Sequence, residues 1–186
     1  MRKLIAAINM TLDGFCNHTA MRPDDAQMEH YNELYRNADL DIFGRTTFQL
    51  MEGFWPEIAA KQNDDKLSNE FAVLIDDIPK IVYSRTLDRV EWRNTELKHE
   101  LVAEDIVELK QREGKNILVG SPSLIVQLTN LGLIDEYQLS VHPTILGSGL
   151  PLFKDISERV DLKLLSTKTF GNGAVLLCYE PEKQAA

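Results

Sequence analysis

Apolar positions along the chain fall into short continuous runs separated by amphipathic stretches. Residues 3–10, Lys-Leu-Ile-Ala-Ala-Ile-Asn-Met, have the pattern of a buried strand, and Asp13-Gly14 is a turn signal behind it. From Pro23 to Ala38 the residues Met28, Tyr31, Leu34, Tyr35 and Ala38 recur at three- and four-residue steps, which predicts a helix. Asp24 and Asp25 stand in its first turn, where carboxylates suit the helix dipole. Leu40-Asp41-Ile42-Phe43 is a short strand running into Gly44, and a second helix is expected over Thr47–Glu52. From Gly53 to Asp77 the pattern is mixed: Trp55-Pro56 interrupts it, and Lys66–Leu74 is helical again. Lys80-Ile81-Val82-Tyr83 is a strand, Val90–Leu97 a weaker one, and Leu101, Val102, Ile106 and Leu109 mark a helix.

Asn116–Val119 is a further strand with the clearest boundary in the chain. Gly120 is followed by Ser121 as an N-cap and Pro122 at the first helical position, and Leu124, Ile125, Leu128 and Leu131 form a helical face that stops at Gly132. Glu136–His142 is a strand ahead of Pro143. Val160–Phe170 and Ala174–Glu180 pair through Gly171-Asn172-Gly173, a hairpin signal. Strand–helix repeats closed by an antiparallel hairpin predict an α/β fold in one domain over 1–186, with a mostly parallel sheet and an antiparallel edge.

Composition narrows the function. The 186 residues are 44% apolar, enough for a substantial core. A formal net charge of −9 repels nucleic acid and anionic membranes. No run has the roughly 20 apolar residues of a membrane span. Asn9, Thr11 and Asp13 cut the N-terminal apolar segment too short for a signal peptide. Two cysteines, Cys16 and Cys178, make no disulfide framework, so a reducing cytoplasm is expected. His18, His30, His99 and His142 lack zinc spacing, so no metal is expected, and Cys178 sits in an apolar run that reads as core.

Candidate chemistry lies where strands end, because open α/β sheets bind ligands at those edges. Three strand ends carry suggestive residues: Gly44-Arg45-Thr46-Thr47, Ser84-Arg85, and Gly120-Ser121-Pro122-Ser123. Glycine lets a phosphate approach the backbone, arginine supplies a forked charge, and helix-opening N–H groups bind anions. Alone, each also reads as an ordinary helix start or a solvated arginine. Their recurrence at successive strand ends of one sheet points to a polyphosphate. Neither G-x-G-x-x-G after the first strand nor a P-loop is present, which argues against an ordinary Rossmann dehydrogenase or P-loop enzyme.

The chain resembles the dihydrofolate-reductase-like family, in particular its branch related to the C-terminal reductase domain of bacterial riboflavin biosynthesis. The resemblance runs through Leu4-Ile5-Ala6-Ala7 into Thr11-Leu12-Asp13-Gly14, Gly44-Arg45-Thr46-Thr47-Phe48, and Lys80–Arg85. It continues in Leu118–Leu124, Leu131–Glu136, Pro143–Gly149 and Pro151-Leu152-Phe153. It implies a dihydrofolate-reductase-like fold and an NADPH-dependent reductase of a small heterocycle, acting like dihydrofolate reductase or 5-amino-6-(5-phosphoribosylamino)uracil reductase. It also implies a homodimer. By position, Gly44, Arg45, Thr46 and Thr47 would meet the dinucleotide phosphates, and Ser84 and Arg85 the ribose 2′-phosphate. Gly120, Ser121, Ser123 and Leu124 would seat the pyrophosphate, and Ala7 would lie near the nicotinamide.

On the substrate side the resemblance suggests Asn9, Asp13, Glu29, Asn32, Trp55 and Ser140, with Asp13 and His30 as proton donors. Asp13-Gly14 is also an ordinary turn, and Glu29, His30 and Asn32 also read as a wet helix face. Two departures stand out. Gly120-Ser121 replaces the Gly-Gly usual in dihydrofolate reductases, and Phe48–Pro56 lacks the aspartate-proline run of the riboflavin pyrimidine reductases. The alternative from another class is a nucleotide- or pterin-binding module that keeps the fold without catalysis.

Overall fold

The apolar runs become strands covered on both faces. In the computed structural model, which describes residues 1–182, the elements follow in the order β1 (Leu4–Thr11), α1 (Asp25–Arg36), β2 (Ala38–Gly44), α2 (Arg45–Glu52), α3 (Trp55–Lys61), α4 (Lys66–Asp77) and β3 (Lys80–Tyr83). Then come β4 (Thr95–Lys98), α5 (Ala103–Gln111), β5 (Asn116–Val119), α6 (Pro122–Asn130), β6 (Glu136–His142), β7 (Leu162–Thr169) and β8 (Val175–Pro181). A short 3-10 turn, His18–Ala20, precedes α1. The strands form one sheet in the order β4-β3-β2-β5-β1-β6-β8-β7. β1 to β6 pair in parallel, and β8 and β7 add the antiparallel edge.

Alternation along the strands sorts the core into two layers. Leu4, Ala6 and Ile8 of β1, Ile42 of β2 and Val119 of β5 pack under Ile106 of α5 and Leu124, Ile125 and Leu128 of α6. On the opposite face Ile5 and Leu118 meet Leu34 of α1, while Phe43 and Val82 meet Phe48 of α2 and Phe71 and Ile75 of α4. Arg36 of α1 bridges Glu29 on its own helix and Glu70 on α4. The Asn32 amide donates to the Leu67 carbonyl over 3.2 Å, tying the same two helices.

Several expected boundaries move for identifiable reasons. Trp55-Pro56 begins α3 instead of breaking a helix, because a proline in the first turn has no N–H that the helix needs. The strand expected over Val90–Leu97 shrinks to Thr95–Lys98. Trp92 leaves the sheet edge to fill the α4-side core, with its indole N–H donating to Asp76 over 2.7 Å. α1 ends at Arg36, capped through Asn37, and Ala38 opens β2. α2 starts at Arg45 rather than Thr47, α4 runs on to Asp77, and β7 spans 162–169. The 171–173 turn forms as expected, with Gly173 at φ +83° in the left-handed region that favours glycine. Cys178 is buried, as its apolar run suggested. Among the described residues no helix is long and apolar enough to cross a membrane.

Candidate active site

The ends of β3, β2, β5 and β1 are neighbours on one edge. Gly44 stands opposite Tyr83, and Val119 lies level with both Ile42 and Ala6. The segments that follow these positions therefore converge. α1 covers one face after β1 and α6 the other after β5, so a crevice opens between the two strand ends. It widens into a cleft of about 1440 Å³. That exceeds the roughly 300–1,000 Å³ of sites for single drug-sized ligands.

The outer half of the cleft is lined by Gly44, Arg45, Thr46 and Thr47, by Ser84 and Arg85, by Gly120, Ser123 and Leu124, and by Ala7. The Arg45 guanidinium donates to the Thr86 hydroxyl over 2.8 Å, which draws the β2 and β3 ends together. Gly120 passes close to β1: a Cβ there would lie 3.2 Å from the Ala7 carbonyl oxygen. α2 and α6 both begin on this rim, and neither first turn is capped by a side chain. The N–H groups at the start of α2 and that of Ser123 in α6, with Arg45 and Arg85, form a donor set suited to phosphates. The residues on this rim have the chemistry to hold the phosphates of a dinucleotide.

Two hydroxyls expected on the ligand are engaged elsewhere. Ser84 Oγ accepts the N–H groups of Thr86 and Leu87 and so shapes the turn that presents Arg85. Ser121 is buried outside the cleft and makes no cap; its Oγ accepts the Gly44 N–H over 2.8 Å. The side chain that replaces the second glycine is thus a rivet between β2 and the start of α6. Ser121→Ala leaves a buried N–H without a partner, a cost of about 1–3 kcal/mol. A drop of that size in urea-unfolding free energy is expected; an unchanged midpoint would rule out the rivet.

The inner half runs over the α1 face of the sheet, between aromatic walls made by Tyr31, Tyr35, Phe43, Trp55 and Phe71. Two polar groups of the sheet open into it, Asn9 of β1 and Asp41 of β2. Each is held by a tyrosine of α1, one helical turn apart. Tyr31 and Gln27 donate to Asn9 Oδ1 over 2.9 and 2.7 Å, which leaves the Asn9 amide nitrogen without a partner among the described residues. Gln27 Nε2 also lies 3.0 Å from His142 Nε2. The same ring nitrogen lies 3.2 Å from Asn9 Oδ1, so Asn9, Gln27, Tyr31 and His142 form one polar cluster. Tyr35 donates to Asp41 Oδ2 over 2.5 Å. Burial raises the Asp41 carboxyl to about 7, against the pull of Tyr35 and Lys80. Cys16 also lines the cleft, where burial pushes its thiol up to about 12, so it is no thiolate nucleophile.

Six expected site residues do not line the cleft. Asp13 is exposed and accepts from the Thr11 hydroxyl and the N–H groups of Leu146 and Gly147 over 2.6, 3.0 and 2.7 Å. With the Thr11 bond as the leading cause, its carboxyl is lowered to about 2, and it laces two loops together outside the cleft. His30 points to Phe170 instead, and burial lowers its pKa. Glu29 belongs to the Arg36 ion pair, and Asn32 to the α1–α4 contact. Ser140 is buried in β6 beside Asn9, and Ser121 sits beneath the rim. Conversely, Asp41, Tyr31, Tyr35 and His99 line the cleft without having been singled out for it. His99 Nδ1 donates to the Ser84 carbonyl over 2.8 Å, at the foot of the Arg85 turn. For Asp41 a signal existed: a carboxylate in the middle of an apolar strand demands a partner or a proton.

Comparison with known proteins agrees with this architecture. The uncharacterized protein YyaP of Bacillus subtilis is 34% identical over 186 residues, covering 96% of this chain and 94% of its own. A putative riboflavin biosynthesis protein from Shewanella sp. PV-4 superposes with a TM-score of 0.75 at 18% identity, over 97% of this chain and 99% of that one. Dihydrofolate reductase from Enterococcus faecalis, solved as a complex with NADP(H) and RAB-propyl, gives 0.62 at 14% identity over 97% of both chains. These likenesses establish a dihydrofolate-reductase-like fold. Residues 2–176 match the RibD C-terminal domain, and the chain belongs to that family.

Proposed function

We propose that the chain is an NADPH-dependent reductase of a small heterocyclic substrate. The observation that carries this reading is the convergence of Arg45, Arg85 and the uncapped starts of α2 and α6 on one rim, beside an aromatic-walled inner cavity. The outer half holds the dinucleotide: Arg45 and the helix N–H groups take the pyrophosphate, Arg85 the 2′-phosphate, and Ala7 borders the nicotinamide. Bound there, the cofactor supplies the hydride. The chain's own residues orient the substrate, exclude water from the inner cavity and deliver a proton. Dihydrofolate and 5-amino-6-(5-phosphoribosylamino)uracil are the natural models for the substrate.

A binding module without catalysis is favoured by one observation: Asp13 and His30, the expected proton donors, both lie outside the cleft. One experiment separates the two. Thermal unfolding of the full chain is measured with NADPH and with NADH, followed by a screen of oxidised heterocycles for loss of the reduced-nicotinamide absorbance. Preferential stabilisation by NADPH with turnover supports the reductase; stabilisation without turnover supports the module. Equal stabilisation by both dinucleotides removes Arg85 from the 2′-phosphate.

A further inference from the structure

We propose that Asp41, held by Tyr35 at the floor of the inner cavity, donates a hydrogen bond and then a proton to an acceptor atom of a planar bicyclic heteroaromatic substrate. The inference builds on the reductase reading above.

The geometry begins with the sheet. Asp41 is level with Leu118 of β5, which is level with Ile5 of β1, so Asp41, Leu118 and Ile5 form a row across the sheet. Ala7 and Asn9 lie two and four residues farther toward the rim on the same face. At about 3.3 Å per residue and about 4.8 Å between strands, the Asp41 Cα is roughly 12 Å from that of Ala7 and roughly 16 Å from that of Asn9. Once side chains reach inward, a bicyclic ring system spans the gap. The walls between are flat aromatic rings, which favour a planar ligand.

Donors, not acceptors, stand at the two ends of this cavity. The Asn9 amide oxygen is taken by Tyr31 and Gln27, so the residue presents its N–H. Asp41 Oδ2 is taken by Tyr35. A carboxyl that is 2% exposed in an aromatic cavity favours its neutral form, which donates. The titratable groups around Asp41 are Tyr31 and Tyr35 of α1 and Lys80 of β3, with Asp76 of α4 beyond Lys80. Lys80 does not form an ion pair with Asp41 among the described residues. Its ammonium donates to the carbonyls of Asp76, Ile78 and Arg93 and lies over the Trp92 ring. The Asp41 proton is therefore available to a ligand.

The proton balance is simple. As reduction at a ring carbon moves the electron pair of its double bond onto the adjacent nitrogen or oxygen, that atom forms a bond to the Asp41 proton and the Asp41 O–H bond breaks. The hydride, which carries both electrons, comes from the reduced nicotinamide. The Asp41 carboxylate that remains keeps the Tyr35 hydroxyl as donor until water returns the proton.

The test uses the full chain with quinazolin-4-one, 1,3-dimethyllumazine and 3-methylpterin as probes, which do not ionise in the window used, their binding followed by calorimetry at about pH 6 and about pH 8.5. At least one probe is expected to bind about tenfold or more tightly at the lower pH, because only the neutral carboxyl donates. Asp41→Asn keeps a donor and is expected to abolish the pH dependence; Tyr35→Phe is expected to shift its midpoint. For any heterocycle that is turned over, Asp41→Asn is expected to lower kcat by about 100-fold or more while leaving NADPH affinity unchanged. Binding that is independent of pH in the wild type, or pH-dependent binding that survives in Asp41→Asn, overturns the proposal. So does failure of all three probes to bind. NADPH binding in the same samples keeps the failures apart. NADPH binding beside pH-independent probe binding removes the Asp41 role alone. Asp41-dependent probe binding without NADPH binding removes the reductase reading alone.

Discussion

Asp41→Asn is expected to stabilise the folded chain at alkaline pH by a few kcal/mol, and by much less in mild acid. The carboxyl is raised in the fold from 3.8 to about 7 by burial. Between those values the folded state holds a proton that the unfolded state releases, so stability falls as pH rises through the window. At about 1.36 kcal/mol per pKa unit the full cost above pH 7 is at most about 4 kcal/mol. Asparagine fills the same space, still accepts from Tyr35 and cannot ionise. Two histidines, the partly buried His30 and the buried His142, act in the opposite direction. His30 and His142 are lowered, chiefly by burial, so the unfolded state takes up their protons first and stability falls as pH drops below about 6.5. The wild-type pH profile therefore mixes opposing slopes, and the readout is the difference between variant and wild type at each pH. Urea unfolding at about pH 5 and about pH 8.5 measures it. A gain of equal size at both would show that the Asp41 carboxyl is ionised in the fold throughout.

Arg85→Ala is expected to weaken NADPH by about 10- to 100-fold, the loss of one or two charge-assisted hydrogen bonds, while NADH binding changes little. Arg45→Ala is expected to weaken both dinucleotides, since both carry the pyrophosphate. The two arginines differ in how they are held. Arg45 is braced on Thr86, whereas Arg85 projects from a turn that Ser84 organises through the N–H groups of Thr86 and Leu87. Ser84→Ala should therefore loosen the Arg85 turn and reproduce part of the Arg85→Ala loss without removing a charge. Titration by fluorescence or calorimetry decides the point. Loss of NADPH and NADH to the same degree in Arg85→Ala would move that residue off the 2′-phosphate.

The parts of this fold that could be read from the chain are those encoded locally. Glycine at the ends of β2 and β5, proline opening α6 and the Gly-Asn-Gly turn each act within a few residues, and each stands where expected. The outer half of the cleft was legible for the same reason, because it is made of strand ends. The inner half is made of contacts between distant segments. Asp13 is a local turn residue in sequence, but its carboxylate is used by backbone N–H groups 133 and 134 positions away. His30, Glu29 and Asn32 share one helix with Tyr31 and Tyr35, and only the packing of α1 decides which of them faces the sheet. Tyr31 and Tyr35 fit the apolar stripe of α1, and their hydroxyls gain meaning only from Asn9 and Asp41 beneath them.

One contact of the terminal hairpin reaches into the chemistry. Asn172, in the β7–β8 turn, donates through its side chain to Gln27 Oε1 over 3.1 Å and through its backbone to Asp24 over 2.8 Å. Gln27 in turn steadies Asn9. The outermost piece of the sheet is thus the far buttress of the Asn9 donor. Transplanting this cleft into another scaffold would require carrying the hairpin along, and a chain clipped ahead of it would lose ligand grip even where the remaining strands stay paired.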